Sequence, residues 1–141
     1  MTERVARVAV SAIVQRDDTV LLVQRGRGHA LGKWAVPGGH VAFGEPLADA
    51  VEREVFEETG LRVRVERFAG FVERIGDDPQ PYHLVILDFF ASELDQGGMP
   101  QAGDDASDVQ WVPLAALGEV DLVDGLFDFL VSVGVGHRTS G

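Results

Sequence analysis

The chain has 141 residues, 45% hydrophobic and 25% charged, enough for one domain with its own core. Its formal net charge of −11 argues against a nucleic acid polymer as partner, because a surface of that sign repels a polyanion. There is no cysteine, which excludes disulfides, thiolate metal sites and a cysteine nucleophile; no apolar run is long enough for a membrane span, so a cytoplasmic protein is expected.

Residues 5–14 (VARVAVSAIV) are rich in β-branched and small apolar side chains, which predicts a strand buried on both faces. Asp17-Asp18 turns the chain, and 19–24 (TVLLVQ) reads as a second strand paired back as a hairpin. The basic, glycine-rich run 25–33 (RGRGHALGK) reads as a loop. Residues 34–36 predict a short strand before the breaker cluster Pro37-Gly38-Gly39, and 40–43 can be extended. A helix is predicted over 46–59, with Pro46 at its first position and Gly60 just beyond its end. Leu47, Val51 and Val55 form its apolar stripe with Ala48 beside it; Phe56, on another side, predicts cover on more than one face.

Residues 61–72 suggest an extended strand, 76–81 a turn, and 82–91 (YHLVILDFFA) a central strand, the strongest in the chain. Residues 92–107 form a long glycine- and acid-rich loop, whose length marks it as functional or mobile. A strand is predicted over 109–112, a helical turn over 113–117 and an amphipathic helix over 121–133. That last helix has Leu122, Leu126, Phe129 and Leu130 inward and Asp121 and Asp124 as start signals; the tail from Gly134 is expected to fray. The element order predicts a single α/β domain over 1–141, a mixed sheet with helices on both sides.

Within the first helix, Glu54, Glu57 and Glu58 stand at i, i+3 and i+4 and fall on one side. Like charges that close repel, and a hard divalent cation with oxygen ligands is the obvious compensation. The alternative is a solvated acidic face with Arg53 making an ordinary i, i+4 pair to Glu57. The residues flanking this cluster disfavour it. The stretch 39–61 resembles the Nudix hydrolases, the MutT-like superfamily, whose signature is G-x5-E-x7-R-E-U-x-E-E-x-G-U with U a bulky apolar residue. Gly39, Glu45, Arg53, Glu54, Val55, Glu57, Glu58, Gly60 and Leu61 match every defined position without insertion.

The resemblance implies a Nudix-type α/β/α sandwich with a mixed sheet. It also implies Mg²⁺-dependent hydrolysis, with Mn²⁺ as a substitute, of a nucleoside diphosphate linked to another group. Glu54, Glu57, Glu58 and the Gly39 carbonyl would be metal ligands, and Glu54 a candidate for the base that deprotonates water. Arg53, Glu54 and Glu57 would form the catalytic set, with Arg53 orienting a glutamate. Glu45 would support the loop or reach a second metal. Family members are often dimeric, so a homodimer is among the expectations, although nothing in this chain fixes an interface.

Outside the signature, Arg25 and Arg27 are candidates for binding substrate phosphates, against the reading of a solvated basic loop. Trp34 is a candidate for stacking on a base, against packing of its own loop. Asp104 and Asp105 are candidates for an extra acidic ligand or base, against a charged loop in water. His83 and Asp88 fall on opposite faces of the central strand, and His83 reads as structural. The run PYHLVILDFFA, followed by AGDDA and a Trp, resembles small bacterial ADP-ribose pyrophosphatases, which puts ADP-ribose first among substrates. A nucleoside triphosphate pyrophosphatase releasing monophosphate and pyrophosphate is the close alternative. A metal-dependent nucleotide-binding module without turnover is the reading of another class.

Overall fold

The computed structural model describes residues 4–28, 30–78, 80–95, 97–103 and 105–137. The β-branched run near the N-terminus forms β1 (Arg7–Arg16), whose residues 9 to 14 are buried on both faces. Val5 and Val8, at 50% and 44% exposure, lie outside that buried stretch. The chain turns at Asp17, a left-handed residue with φ 53°, into β2 (Thr19–Arg25). The expected hairpin is brief, with only Gln15 facing Val20 and Arg16 facing Thr19 before the two strands part.

After this divergence β2 pairs antiparallel with β3 (Trp34–Ala35) and β7 (Ala106–Pro113). Strand β1 instead pairs antiparallel with β4 (Gly38–His40) and parallel with β6 (Tyr82–Glu93). Outside β6 runs β5 (Val63–Gly76), antiparallel and at the edge. The sheet is therefore mixed, as predicted, with β1 and β6 at its centre.

Helix α1 (Leu47–Thr59) packs on one face and α2 (Leu126–Ser132), with a 3₁₀ turn at Leu114–Glu119, on the other. Alternation along β1 divides the core. Val10, Ala12 and Val14 join Val51 and Val55 beneath α1, while Ile13 joins Leu117, Leu126 and Leu130 on the α2 side. This is the α/β/α sandwich.

Several elements differ from their sequence forecasts. Helix α1 is covered on one side only: Leu47 and Phe56 are exposed, Phe56 under the Arg62 guanidinium, and the buried set is Ala50, Val51, Val55 and Thr59. The forecast strand over 61–72 runs to Gly76, and the 92–107 loop is shortened at both ends by longer β6 and β7. The last helix starts only at Leu126, because Gly125 in the left-handed region (φ 83°) interrupts it. Leu122 instead bridges to Trp34, with the Trp34 N–H donating to the Asp121 carbonyl at 2.9 Å. Asp121 and Asp124 are thus not helix caps. Nor does the tail fray at Gly134: Val135 is buried, and its N–H donates to the Leu130 carbonyl at 2.8 Å.

Candidate active site

Helix α1 ends where the sequence predicts. Gly60 takes φ 76°, and its N–H donates to the Phe56 carbonyl. The buried Thr59 hydroxyl donates to the Val55 carbonyl at 2.7 Å and accepts the Leu61 N–H at 3.1 Å. Backbone of the 97–103 loop covers the carbonyls left open there: the Gln101 N–H donates to Thr59 and the Gly103 N–H to Glu58. The long loop is thereby tied to the acidic end of the helix.

The glutamate repulsion has a first answer within the chain. Arg53 Nε donates to Glu45 Oε2 at 2.8 Å, and Nη2 donates to Glu45 Oε1 at 2.9 Å and to the His40 carbonyl at 3.1 Å. Its Nη1 donates to Glu54 Oε1 at 2.8 Å and to Glu57 Oε2 at 3.1 Å. Five contacts match the five N–H groups of a guanidinium, so this side chain is fully used. Glu45 also accepts the Ala42 N–H at 3.0 Å and is held down to about 2, chiefly by its two bonds from Arg53. Its contacts are those of the loop-supporting residue. The ordinary Arg53–Glu57 pair is present as well, as one contact of five.

Glu58 turns the other way. Its Oε1 accepts the Gly38 N–H at 2.7 Å. Burial pushes its carboxyl up to about 7, the Gly38 N–H and Arg25 pull against that, and the charges of Glu54 and Asp105 add to it. Gly39 lies against Glu54 so closely that a Cβ there would stand 2.4 Å from the Glu54 carboxyl carbon. A side chain at this position would displace the Glu54 carboxylate, so the constraint on Gly39 comes from contact and not from φ.

These features fit a hard divalent cation in donor chemistry: carboxylate oxygens, one of them on a carboxyl made uncomfortable by burial beside another. Geometrically, Glu54 and Glu57 face Arg53 and Glu58 faces Gly38. Among the described residues no three acidic or histidine side chains converge in ligating reach. The three glutamates are also unequally sheltered, Glu54 at 15% side-chain exposure and Glu57 at 40%.

Strand β4 separates this helix from a cavity of about 470 Å³ on the α2 side of the sheet. Gly38, Gly39 and His40 form one wall, and the same face of β6 (Tyr82, Leu84, Ile86, Asp88) forms the floor. Val123 to Leu126 and Phe129 roof it. Arg25 lines this cavity and also acts electrostatically on Glu58, so the structure brings it to the junction of cavity and helix. Lys33, Arg74 and Tyr82 join the lining without having been singled out in the sequence.

The other candidates are placed differently. Arg27 is exposed and paired with Asp105, whose backbone carbonyl accepts the Gly26 N–H at 2.8 Å. Asp105 is near enough to Glu58 to raise it, whereas Asp104 lies outside the described residues. Trp34 packs against the α2-side core and is not in the cavity wall. His83 and Asp88 do occupy opposite faces: His83 Nε2 lies 2.6 Å from Glu73 Oε2 at the surface, and Asp88 is buried beneath the cavity.

The family model described as the NUDIX domain matches residues 5–130. An ADP-ribose pyrophosphatase of Methanocaldococcus jannaschii is 36% identical over 107 residues, which cover 76% of this chain but only 62% of that protein's length. A putative 8-oxo-dGTP diphosphatase 2 of Mycobacterium tuberculosis is 38% identical over 118 residues, covering 83% of this chain and 80% of that one. Among solved structures, a MutT NUDIX hydrolase from Burkholderia pseudomallei superposes with a TM-score of 0.75 at 27% identity, covering 91% of this chain and 98% of the other.

Proposed function

The chain belongs to the Nudix family, and from that premise we propose that it hydrolyses the pyrophosphate linkage of a nucleoside diphosphate joined to another group, with ADP-ribose the favoured substrate. The observation that carries this reading is the back-to-back arrangement across β4. The cavity ends on Gly38–His40, and Glu54 and Glu58 press against those same residues from the helix side. A nucleoside held in the cavity would present its pyrophosphate to the glutamates.

In this reading Glu54, Glu57, Glu58 and the Gly39 carbonyl would hold Mg²⁺, with Mn²⁺ as a substitute. The cation would neutralise charge on the pyrophosphate oxygens and acidify the attacking water. Arg53 fixes one oxygen of Glu54 and one of Glu57. The other oxygen of Glu54 then takes the proton as the water oxygen bonds to phosphorus and the anhydride P–O bond breaks. Arg25 binds a phosphate oxygen at the cavity mouth. The same reading makes the partner a small nucleotide rather than a nucleic acid polymer, in keeping with the net charge of −11, and the setting cytoplasmic.

A second reading, cleavage of a nucleoside triphosphate to monophosphate and pyrophosphate, is favoured by the fuller alignment with the mycobacterial diphosphatase. Incubation with Mg²⁺ and a panel of ADP-ribose, NADH, diadenosine polyphosphates and dNTPs separates the two. AMP with ribose 5-phosphate from ADP-ribose supports the first; pyrophosphate from a dNTP supports the second. Nucleotide binding without any product would reject both in favour of a binding module.

A further inference from the structure

Asp88 is 3% exposed, in the middle of a strand that is otherwise apolar for four residues before it and three after. Its Oδ1 accepts the Ser11 hydroxyl at 2.8 Å, and Ser11 is also buried. Its Oδ2 has no hydrogen-bond partner among the described residues. A buried carboxylate oxygen without a donor is costly, and an apolar side chain at this position would avoid that cost. What distinguishes Asp88 from a misplaced charge is its position: both it and Ser11 line the cavity.

The register fixes how far this pair lies from the chemistry. Asp88 faces Ser11 across β6 and β1, and Ser11 faces Gly38 across β1 and β4. Two strand spacings separate Asp88 from the β4 wall against which Glu54 and Glu58 press, roughly 10 Å. That is the scale of a ribose with its base, and it puts Asp88 at the end of the cavity away from the pyrophosphate.

The carboxyl is raised to about 6, mainly by burial, with the Ser11 bond and the Arg74 charge pulling the other way. Above that pH it is ionised and can only accept hydrogen bonds. The neighbouring floor residues Leu84 and Ile86 offer apolar contact and no donor of their own.

We infer that Asp88, positioned by Ser11, is the specificity-determining residue of the cavity, and that its free Oδ2 accepts a hydrogen bond from the exocyclic amine of the substrate's nucleobase. The inference rests on the cavity being the nucleoside site of the proposed function and deepens that reading. A base that offers a carbonyl in place of the amine would set oxygen against oxygen in a buried site, and be rejected.

The test is binding rather than turnover. Titration calorimetry in Mg²⁺ buffer at pH 8 compares AMP and GMP with IMP, which lacks both their amines, and CMP with UMP. At least one amino nucleotide is expected to bind roughly 10- to 100-fold more tightly than its amine-free counterpart, the range set by one hydrogen bond to a charged group. In Asp88→Asn the amide oxygen keeps the Ser11 bond and the NH₂ replaces Oδ2 as a donor, so the preference should vanish or reverse. Equal affinities in the wild-type protein would overturn the inference without recourse to any variant, and so would unchanged discrimination in a folded Asp88→Asn protein. Hydrolysis of ADP-ribose with no amine preference would leave the proposed function standing and remove Asp88 from it. Amine preference with no hydrolysis of any panel member would do the opposite.

Discussion

The two faces of the central sheet handle charge in opposite ways. On the α1 side, one guanidinium spends all five donors on Glu45, Glu54, Glu57 and a backbone carbonyl, and the loop beneath it is fixed as a result. On the α2 side, Asp88 has a single donor among the described residues, Ser11, and one buried oxygen without a partner. In the first the carboxylates are held by the protein's own donors, although no three of them converge among the described residues; in the second a buried carboxylate oxygen is left without a donor. Loss of a group should therefore damage chemistry on one face and recognition on the other.

The largest effects are expected from the helix. Glu54→Gln and Glu58→Gln keep shape and remove a charge, and each should lower kcat by about 10²- to 10⁴-fold, with far-ultraviolet circular dichroism unchanged. Wild-type turnover in either variant would remove that residue from the reaction. Gly39→Ala comes next. Its Cβ would fall 2.4 Å from the Glu54 carboxyl carbon, so the carboxylate must move, and a displacement near 1 Å costs on the order of 10²-fold in rate. Glu54→Gln and Gly39→Ala together should then be less than multiplicative, because both act through one carboxylate.

A smaller effect, in stability rather than rate, should separate the faces by pH. Burial raises Asp88 from 3.8 to about 6, so between those values the folded protein binds a proton that the unfolded chain has lost. Its contribution is therefore most favourable below about pH 4 and declines as pH rises through 6, by roughly 3 kcal/mol at most. Glu58, raised to about 7 by burial, runs in the same direction, so the comparison must be made against a variant. Urea midpoints at pH 5 and pH 8 should show Asp88→Asn gaining on the wild type at the higher pH. A constant difference between the two would mean that Asp88 does not titrate in this window.

What could be read from the sequence was local. The signature spacing places the three glutamates by helical periodicity alone, and Gly60 ends the helix by its own φ. The use of Arg53 was legible only toward Glu54 and Glu57 on its own helix. Its bonds to Glu45 and His40 depend on how the preceding loop folds back. Cover of α1 was misjudged because helical spacing assigns Leu47 and Phe56 to a side without saying what lies there. Gly125 cut the last helix short, since its left-handed conformation is paired with the Trp34–Leu122 bridge, a contact between distant segments. The cavity is assembled from five segments, and no periodicity reports it. Arg25 in the basic loop and a lone Asp within YHLVILDFFA were its sequence signals, and alternation put that Asp on a face without identifying the face as a binding surface.

The smallest expected effect concerns Arg27. It and Arg25 were equivalent candidates in the sequence, two residues apart in one basic loop. Strand β2 ends at Arg25, which places that side chain in the cavity wall, while Arg27 lies beyond the strand and pairs with Asp105. Side-chain exposures of 77% and 57% put that pair in water, where such contacts contribute about 0–1 kcal/mol. Arg27→Ala should therefore change the urea midpoint little and kcat/KM by less than about threefold, its only route to the site being release of Asp105 near Glu58. Arg25→Ala should weaken KM for a diphosphate substrate by on the order of tenfold or more, as loss of a charged hydrogen bond would. If Arg27→Ala produced the larger KM change, the basic loop would have to reach the substrate through its tip, and the division of labour across β4 would need to be redrawn.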